Sequence, residues 1–310
     1  NRGGSFTLIC SGDVTNNGII QNNPGGYLLY INISGNIENN GVWSNQTVQL
    51  TGADQYITCE FGSIFECGNF LGNTSSRGDV YFDSDIGFSY TAVDLNGDNV
   101  VLSPGMELTL TGGYLFDGSL SGTSATFNMS ADNYIYSLVV NVTNLTLNGV
   151  CQIADNSLDL NCNIVNNSTL QNRSGHFTVD IVGNITNNGA IQNNPSGYTL
   201  NTDISGDIIN NGLWTVSELE LTGTNQHISC VGGNIFQTTY FKGNGTYRSN
   251  QYFDSDVSFV GTHINLYNDN LILQDGMTLD MTGGYLTNGT LSGPSVTMTM
   301  STDNYLYSLV

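Results

Sequence analysis

The feature that most constrains the fold of this 310-residue chain is that most of it is written twice. The stretch GDVTNNGIIQNNPGGY from Gly12 to Tyr27 returns as GNITNNGAIQNNPSGY from Gly183 to Tyr198, every residue number rising by the same 171. The same offset carries Trp43 onto Trp214, Cys59 onto Cys230, YFDSD at Tyr81 onto Tyr252, TGGYL at Thr111 onto Thr282, and DNYIYSLV at Asp132 onto DNYLYSLV at Asp303. Roughly half of the aligned positions are identical, and no insertion or deletion is needed, which marks a tandem repeat. Residues 1–139 read as a first, partial unit and 172–310 as a second. Residues 140–171 form a single-copy remainder, expected to continue the same rungs. Asn1-Arg2 matches Asn172-Arg173 and Val310 matches Val139, so the chain reads as a slice of a longer array.

A shorter rhythm runs inside each unit. NNG occurs at Asn16 and Asn39, and again, at the same interval, at Asn187 and Asn210. Between these marks lie short alternating runs such as Leu219-Glu-Leu, Val296-Thr-Met-Thr-Met and Leu145-Thr-Leu, while no window sustains a helical i, i+3, i+4 pattern. Short strands punctuated by Asn and Gly predict an all-β fold, a parallel β-solenoid (β-helix) built from the 171-residue tandem repeat. A string of β-sandwiches is the alternative, disfavoured because hairpin turns are lacking. The NNG marks are expected at corners with left-handed backbone, which Asn tolerates and Gly takes freely, and Asn on successive turns is expected to stack as an amide ladder. At about 4.8 Å per turn, a full unit of roughly seven or eight turns would rise roughly 34 to 39 Å.

Composition then narrows function. Five Lys+Arg stand against 26 Asp+Glu, a net charge of -21. Such a chain has no basic stripe with which to release counterions from nucleic acid or to meet an anionic membrane surface. No run approaches the ~18 apolar residues of a spanning helix, so no membrane insertion is expected, and the first residues show neither a Met nor a basic leader. Six Cys, one Lys and sequons at Asn32, Asn73, Asn141 and Asn244 point to an extracellular or cell-surface setting.

Segments such as VQLTGADQYITCEFGSIF, ELELTGTNQHISCVGGNIF and LILQDGMTLDMTGGYLTNGTLSG resemble the Asn/Gly/Thr-rich β-solenoid repeats of giant secreted bacterial surface proteins and adhesins. The resemblance covers nearly the whole chain through composition, implies a surface or filament role, and carries over no catalytic residue. The six Cys depart from that pattern.

Catalysis needs a His, Cys, Lys or perturbed carboxylate beside a partner. His176, His227 and His263 align with Ser5, Tyr56 and Ala92, and Lys242 aligns with Leu71, so the repeat requires none of them. Polysaccharide lyase chemistry wants basic residues that the chain lacks. Asp83-Ser-Asp85 and Asp254-Ser-Asp256 fit a glycosidase pair only loosely. No enzyme is expected. The same four aspartates, with Asp94 and Asp98, are candidate calcium ligands, because hard oxygens alternate there, with solvated turns as the competing reading. No other cofactor is implied. Cys10, Cys59, Cys67, Cys151, Cys162 and Cys230 show no zinc spacing and read as crosslinks of undefined pairing or as core thiols. Asn73 and Asn244 are the candidate glycosylation sites.

Tyr27, Trp43, Tyr114 and Tyr134 recur as Tyr198, Trp214, Tyr285 and Tyr305. Stacked aromatics of this kind fill a core, cover a corner, or form an exposed platform for sugars. Two functions follow. One is a non-catalytic structural repeat of an extracellular fibre or cell-surface stalk, whose partners are further copies of the repeat, end to end and side by side. The alternative is an adhesin or fibre-like carbohydrate-binding module whose partners are glycans.

Overall fold

The computed structural model describes residues 3–60, 64–74, 78–155, 158–230, 235–246 and 248–310. Among them every regular element is a strand, and every pairing with a defined register within a unit is parallel. The fold is the parallel β-solenoid that the alternation predicts. The chain divides into two compact units, Asn1–Ile153 and Ala154–Val310. The division falls inside the single-copy segment 140–171, not at its edges.

Each unit winds three strand columns. In the first unit one column runs through Phe6–Cys10, Leu29–Ile33, Thr47–Leu50, Asn69–Leu71 and the later part of Ile86–Asp94. The second runs through Val14–Asn16, Ile37–Asn39, Gln55–Cys59, Asp79–Phe82 and Asn99–Leu102, and the third through Ile19–Gln21, Val42–Ser44, Ile64–Phe65 and the start of Ile86–Asp94. The step between paired residues ranges from 17 (Tyr30 to Thr47) to 25 (Gln55 to Val80). The second unit repeats both extremes, Asn201 to Glu218 and Gln226 to Gln251. The indel-free repeat thus has a physical cause. A one-residue slip would turn every inward side chain outward.

The inward positions make the core. Trp43, Phe65 and Phe88 stack on successive turns at ring distances of 5.4 and 5.5 Å, and Trp214, Phe236 and Phe259 do so at 5.6 and 5.5 Å. All six are buried, and each such side chain contributes about 1.5 to 3 kcal/mol by leaving water. The tryptophans are therefore core, while Tyr27, Tyr198, Tyr285 and Tyr305 stand exposed outside it.

The Asn ladder forms inside the same core. Asn166 Nδ2 donates to Asn187 Oδ1 (2.8 Å), Asn187 Nδ2 to Asn210 Oδ1 (2.9 Å), and Asn16 Nδ2 to Asn39 Oδ1 (2.8 Å). The glycine that follows corrects the left-handed expectation. None of Gly18, Gly41, Gly189 and Gly212 has a positive φ. A Cβ on Gly189 would instead lie 1.9 Å from the Ser168 carbonyl oxygen, and one on Gly212 2.0 Å from that of Gly189. Close approach between turns demands glycine there. Left-handed corners fall elsewhere, at Tyr90, Gly112 and Ala131 in the first unit and at Gly261, Gly283 and Thr302 in the second.

Candidate functional site

The aspartates singled out in the sequence bind the chain itself. Asp98 is buried, its Oδ2 accepting from the Asn73 N–H (2.6 Å) and its Oδ1 from the Gly78 N–H (3.3 Å). Its counterpart Asp269 accepts from the N–H groups of Asn244 (2.7 Å) and Ser249 (2.8 Å). Asp85 and Asp256 cap the N–H groups of Glu107 (2.8 Å) and Thr278 (2.7 Å), and Asp94 caps that of Asn96 (3.0 Å). Asp83 accepts from Ser103 Oγ (2.5 Å), and Asp254 pairs with His227 Nδ1 (2.7 Å). Among the described residues no group of three or more His, Cys, Asp or Glu is placed to hold a metal ion.

Of the two readings left open for the cysteines, the arrangement of this chain has the form of core thiols. All six are free thiols, Cys10 half-buried and the other five buried. Cys59 follows Asn39 and Cys230 follows Asn210 in register, so both thiols occupy the ladder position one turn beyond an asparagine, and Cys59 hydrogen-bonds Asn39. Burial pushes the thiols of Cys59, Cys67, Cys151, Cys162 and Cys230 up to about 12. They are core residues with little thiolate character.

The two candidate sequons are also built into the fold. Asn73 and Asn244 are buried, with Asn73 Nδ2 donating to the Gly52 carbonyl (2.7 Å) and Asn244 Nδ2 to those of Thr222 (2.9 Å) and Gly223 (3.0 Å). The nitrogen that would carry a glycan is the one that fastens the turn, so glycosylation at these two positions does not fit the folded chain. Asn141 is exposed.

Two surface columns were missed in the sequence because their successive members lie a full turn apart along the chain. In the second unit Asp159, Asp180, Asp203 and Glu220 stand in register on successive turns, followed by Lys242. Lys242 Nζ meets Glu218 Oε1 at 2.5 Å and Glu220 Oε2 at 3.9 Å. Burial, then the carboxylates of Glu220 and Asp180, push Asp203 up to about 6. The first unit carries Ile9, Asn32, Gln49 and Leu71 in the equivalent column. The histidines belong to aromatic stacks: His227 lies on Tyr252 (4.7 Å, 11°) as Tyr56 lies on Tyr81 (4.7 Å, 14°), and His263 sits between Tyr240 and Tyr285.

The second missed column builds a groove of about 520 Å³ on the first unit. Tyr114 and Tyr134 stack at 4.7 Å and 15° along one wall. Gly112 and Gly113 line the groove beside them, with Ala131 and the exposed Asp132 a turn further on. Tyr90 lines the groove as well, its ring so close over Gly112 that a Cβ there would meet Cε1 at 2.8 Å. One turn before Tyr114 the column holds Ala92, where the second unit has His263 packed on Tyr285 at 5.2 Å. No protein-family model, curated protein or solved structure matches the chain.

Proposed function

We propose that this chain is a non-catalytic structural repeat segment of an extracellular fibre or cell-surface stalk, joined end to end with further copies of the repeat. One comparison between the units carries the reading. In the second unit the strand Phe177–Ile181 pairs with Leu158–Leu160, and Val179 and Ile181 are buried to 0% and 1% exposure. Its counterpart Phe6–Cys10 pairs with Leu29–Ile33 in the register by which Phe177–Ile181 pairs with Leu200–Ile204, with Leu8 in the place of Val179 and Cys10 in that of Ile181. The same strand keeps the same register in both units, so a further copy of the repeat can pair with it as Leu158–Leu160 pairs with Phe177–Ile181.

In a stacked parallel coil each strand offers its N–H and C=O groups to the turns on either side, so one repeat is a template for the next. Further repeats would satisfy it with the register already used inside the second unit. Buried, unreactive thiols are compatible with an oxidising exterior. Sedimentation and electron microscopy of the chain over a range of concentrations test the reading. End-to-end association is expected, and Leu8→Asp, which places a charge at the position where Val179 is buried in the second unit, should abolish it without changing the circular dichroism. A chain that stays monomeric at its solubility limit would remove the proposal.

A further inference from the structure

We propose that the groove between Tyr90 and the Tyr114–Tyr134 stack is a binding site for a neutral or amino sugar within a glycan, present on the first unit only. This goes beyond the structural role and does not depend on end-to-end assembly.

The argument begins with a residue that folding alone disfavours. Tyr90 has φ 50° and is 79% exposed, so its backbone is in the left-handed region while its ring is largely in water. A bulky side chain in that region is strained, and such strain clusters at ligand sites. The repeat supplies an internal control, because the equivalent corner of the second unit is Gly261 with φ 65°. The corner needs no tyrosine. Nor does the core, since Tyr90 is the most exposed aromatic side chain among the described residues.

What the ring does instead is wall a groove. Its neighbours supply the parts that recognise a sugar: apolar ring faces and edges for the C–H face of a pyranose, and polar groups at the margin for its hydroxyls. Asp132 offers carboxylate oxygens at one end, and the paired glycines bring backbone within reach of a ligand. Beside Tyr114 in register stands Ala92, where the second unit has His263 beside Tyr285. In the second unit the tyrosine stack is kept, Tyr285 on Tyr305 at 5.0 Å, but the Tyr90 wall is missing and His263 packs against Tyr285. Charge selects within the class of glycans. A groove that carries Asp132 on a chain of net charge -21 repels uronates and accepts neutral or amino sugars.

A glycan array carrying neutral, amino and uronic oligosaccharides, probed with the full chain, is the first test, followed by calorimetry on the strongest responder. Neutral or amino glycans are expected to bind and uronic ones to stay silent. Tyr90→Gly, which installs the residue of the second unit, should weaken binding by about tenfold or more while the melting temperature holds or rises. Tyr90→Phe should retain binding, because the ring and not the hydroxyl is the wall. Asp132→Asn should weaken it, and Tyr285→Ala on the second unit should leave it unchanged. Silence across the neutral and amino glycans, or binding that survives Tyr90→Gly, overturns the site. A proline-rich peptide that binds through Tyr90 while glycans do not would assign the groove to a protein partner instead and equally overturn it. Self-association of the same samples reads the structural role separately.

Discussion

At the scale of single residues, the two units act as a natural mutant pair in one backbone. Trp43 Nε1 donates to Asn45 Oδ1 at 3.1 Å inside the core. Trp214 occupies the same buried position, but Val216 stands where Asn45 does, and the indole nitrogen has no hydrogen-bond partner. A buried donor without an acceptor costs about 1 to 3 kcal/mol. Val216→Asn should restore the first unit's arrangement, with the new amide reaching the carbonyls of Leu200 and Glu218 as Asn45 Nδ2 reaches those of Leu29 and Thr47. The expected gain is about 1 kcal/mol, read as a higher urea midpoint at unchanged slope. A lower midpoint would mean that the loss of apolar packing outweighs the new bond. The Asn ladder itself was legible in the sequence, because identical amides one turn apart have one obvious way to satisfy each other. The reason for the adjacent glycines was not, since contact between turns at Gly189 and Gly212 is a property of the stacked backbone and not of local propensity.

At the scale of elements, alternating runs punctuated by Asn and Gly, without hairpin turns, implied stacked parallel strands over a string of sandwiches. What alternation could not say is which outward residues meet, since the short step from Tyr30 to Thr47 and the long one from Gln55 to Val80 occur in the same unit. The carboxylate column of the second unit shows the consequence. Asp203 stands between Asp180 and Glu220, and its carboxyl is pushed up to about 6 from 3.8, by burial first and by those neighbours next, with Lys242 opposing them. With the folded value above the unfolded one, the folded state holds the proton more tightly. Stability is therefore greatest below about pH 4 for this group and falls as pH rises through 6. After discount for solvent screening the effect is on the order of 1 kcal/mol. Asp203→Asn should raise the melting temperature at pH 7 by a few degrees and flatten its fall between pH 4 and 6. A variant that melts lower than the parent at pH 7 would show that Lys242 already compensates the column.

At the scale of the whole molecule, 26 carboxylates and five basic residues share one chain, so repulsion is distributed over many exposed side chains. The sequence made this plain and raised calcium as the remedy at Asp83, Asp85, Asp254, Asp256, Asp94 and Asp98. The structure offers a reason to expect diffuse screening instead: each of those six already accepts a hydrogen bond from the chain, and Asp98 is buried in doing so. A calcium ion would have to displace those donors and gather oxygens that point to different turns. Raising sodium chloride from about 10 to 150 mM shortens the Debye length from about 30 to 8 Å, and should raise the melting temperature by several degrees. Calcium chloride at matched ionic strength should give a similar gain, and excess chelator in 150 mM salt should leave the curve where it was. A calcium-specific rise that chelator reverses, and that Asp83→Asn with Asp85→Asn abolishes, would instead place an ion among these carboxylates and make the hydrogen bonds seen there the resting arrangement of an ion site.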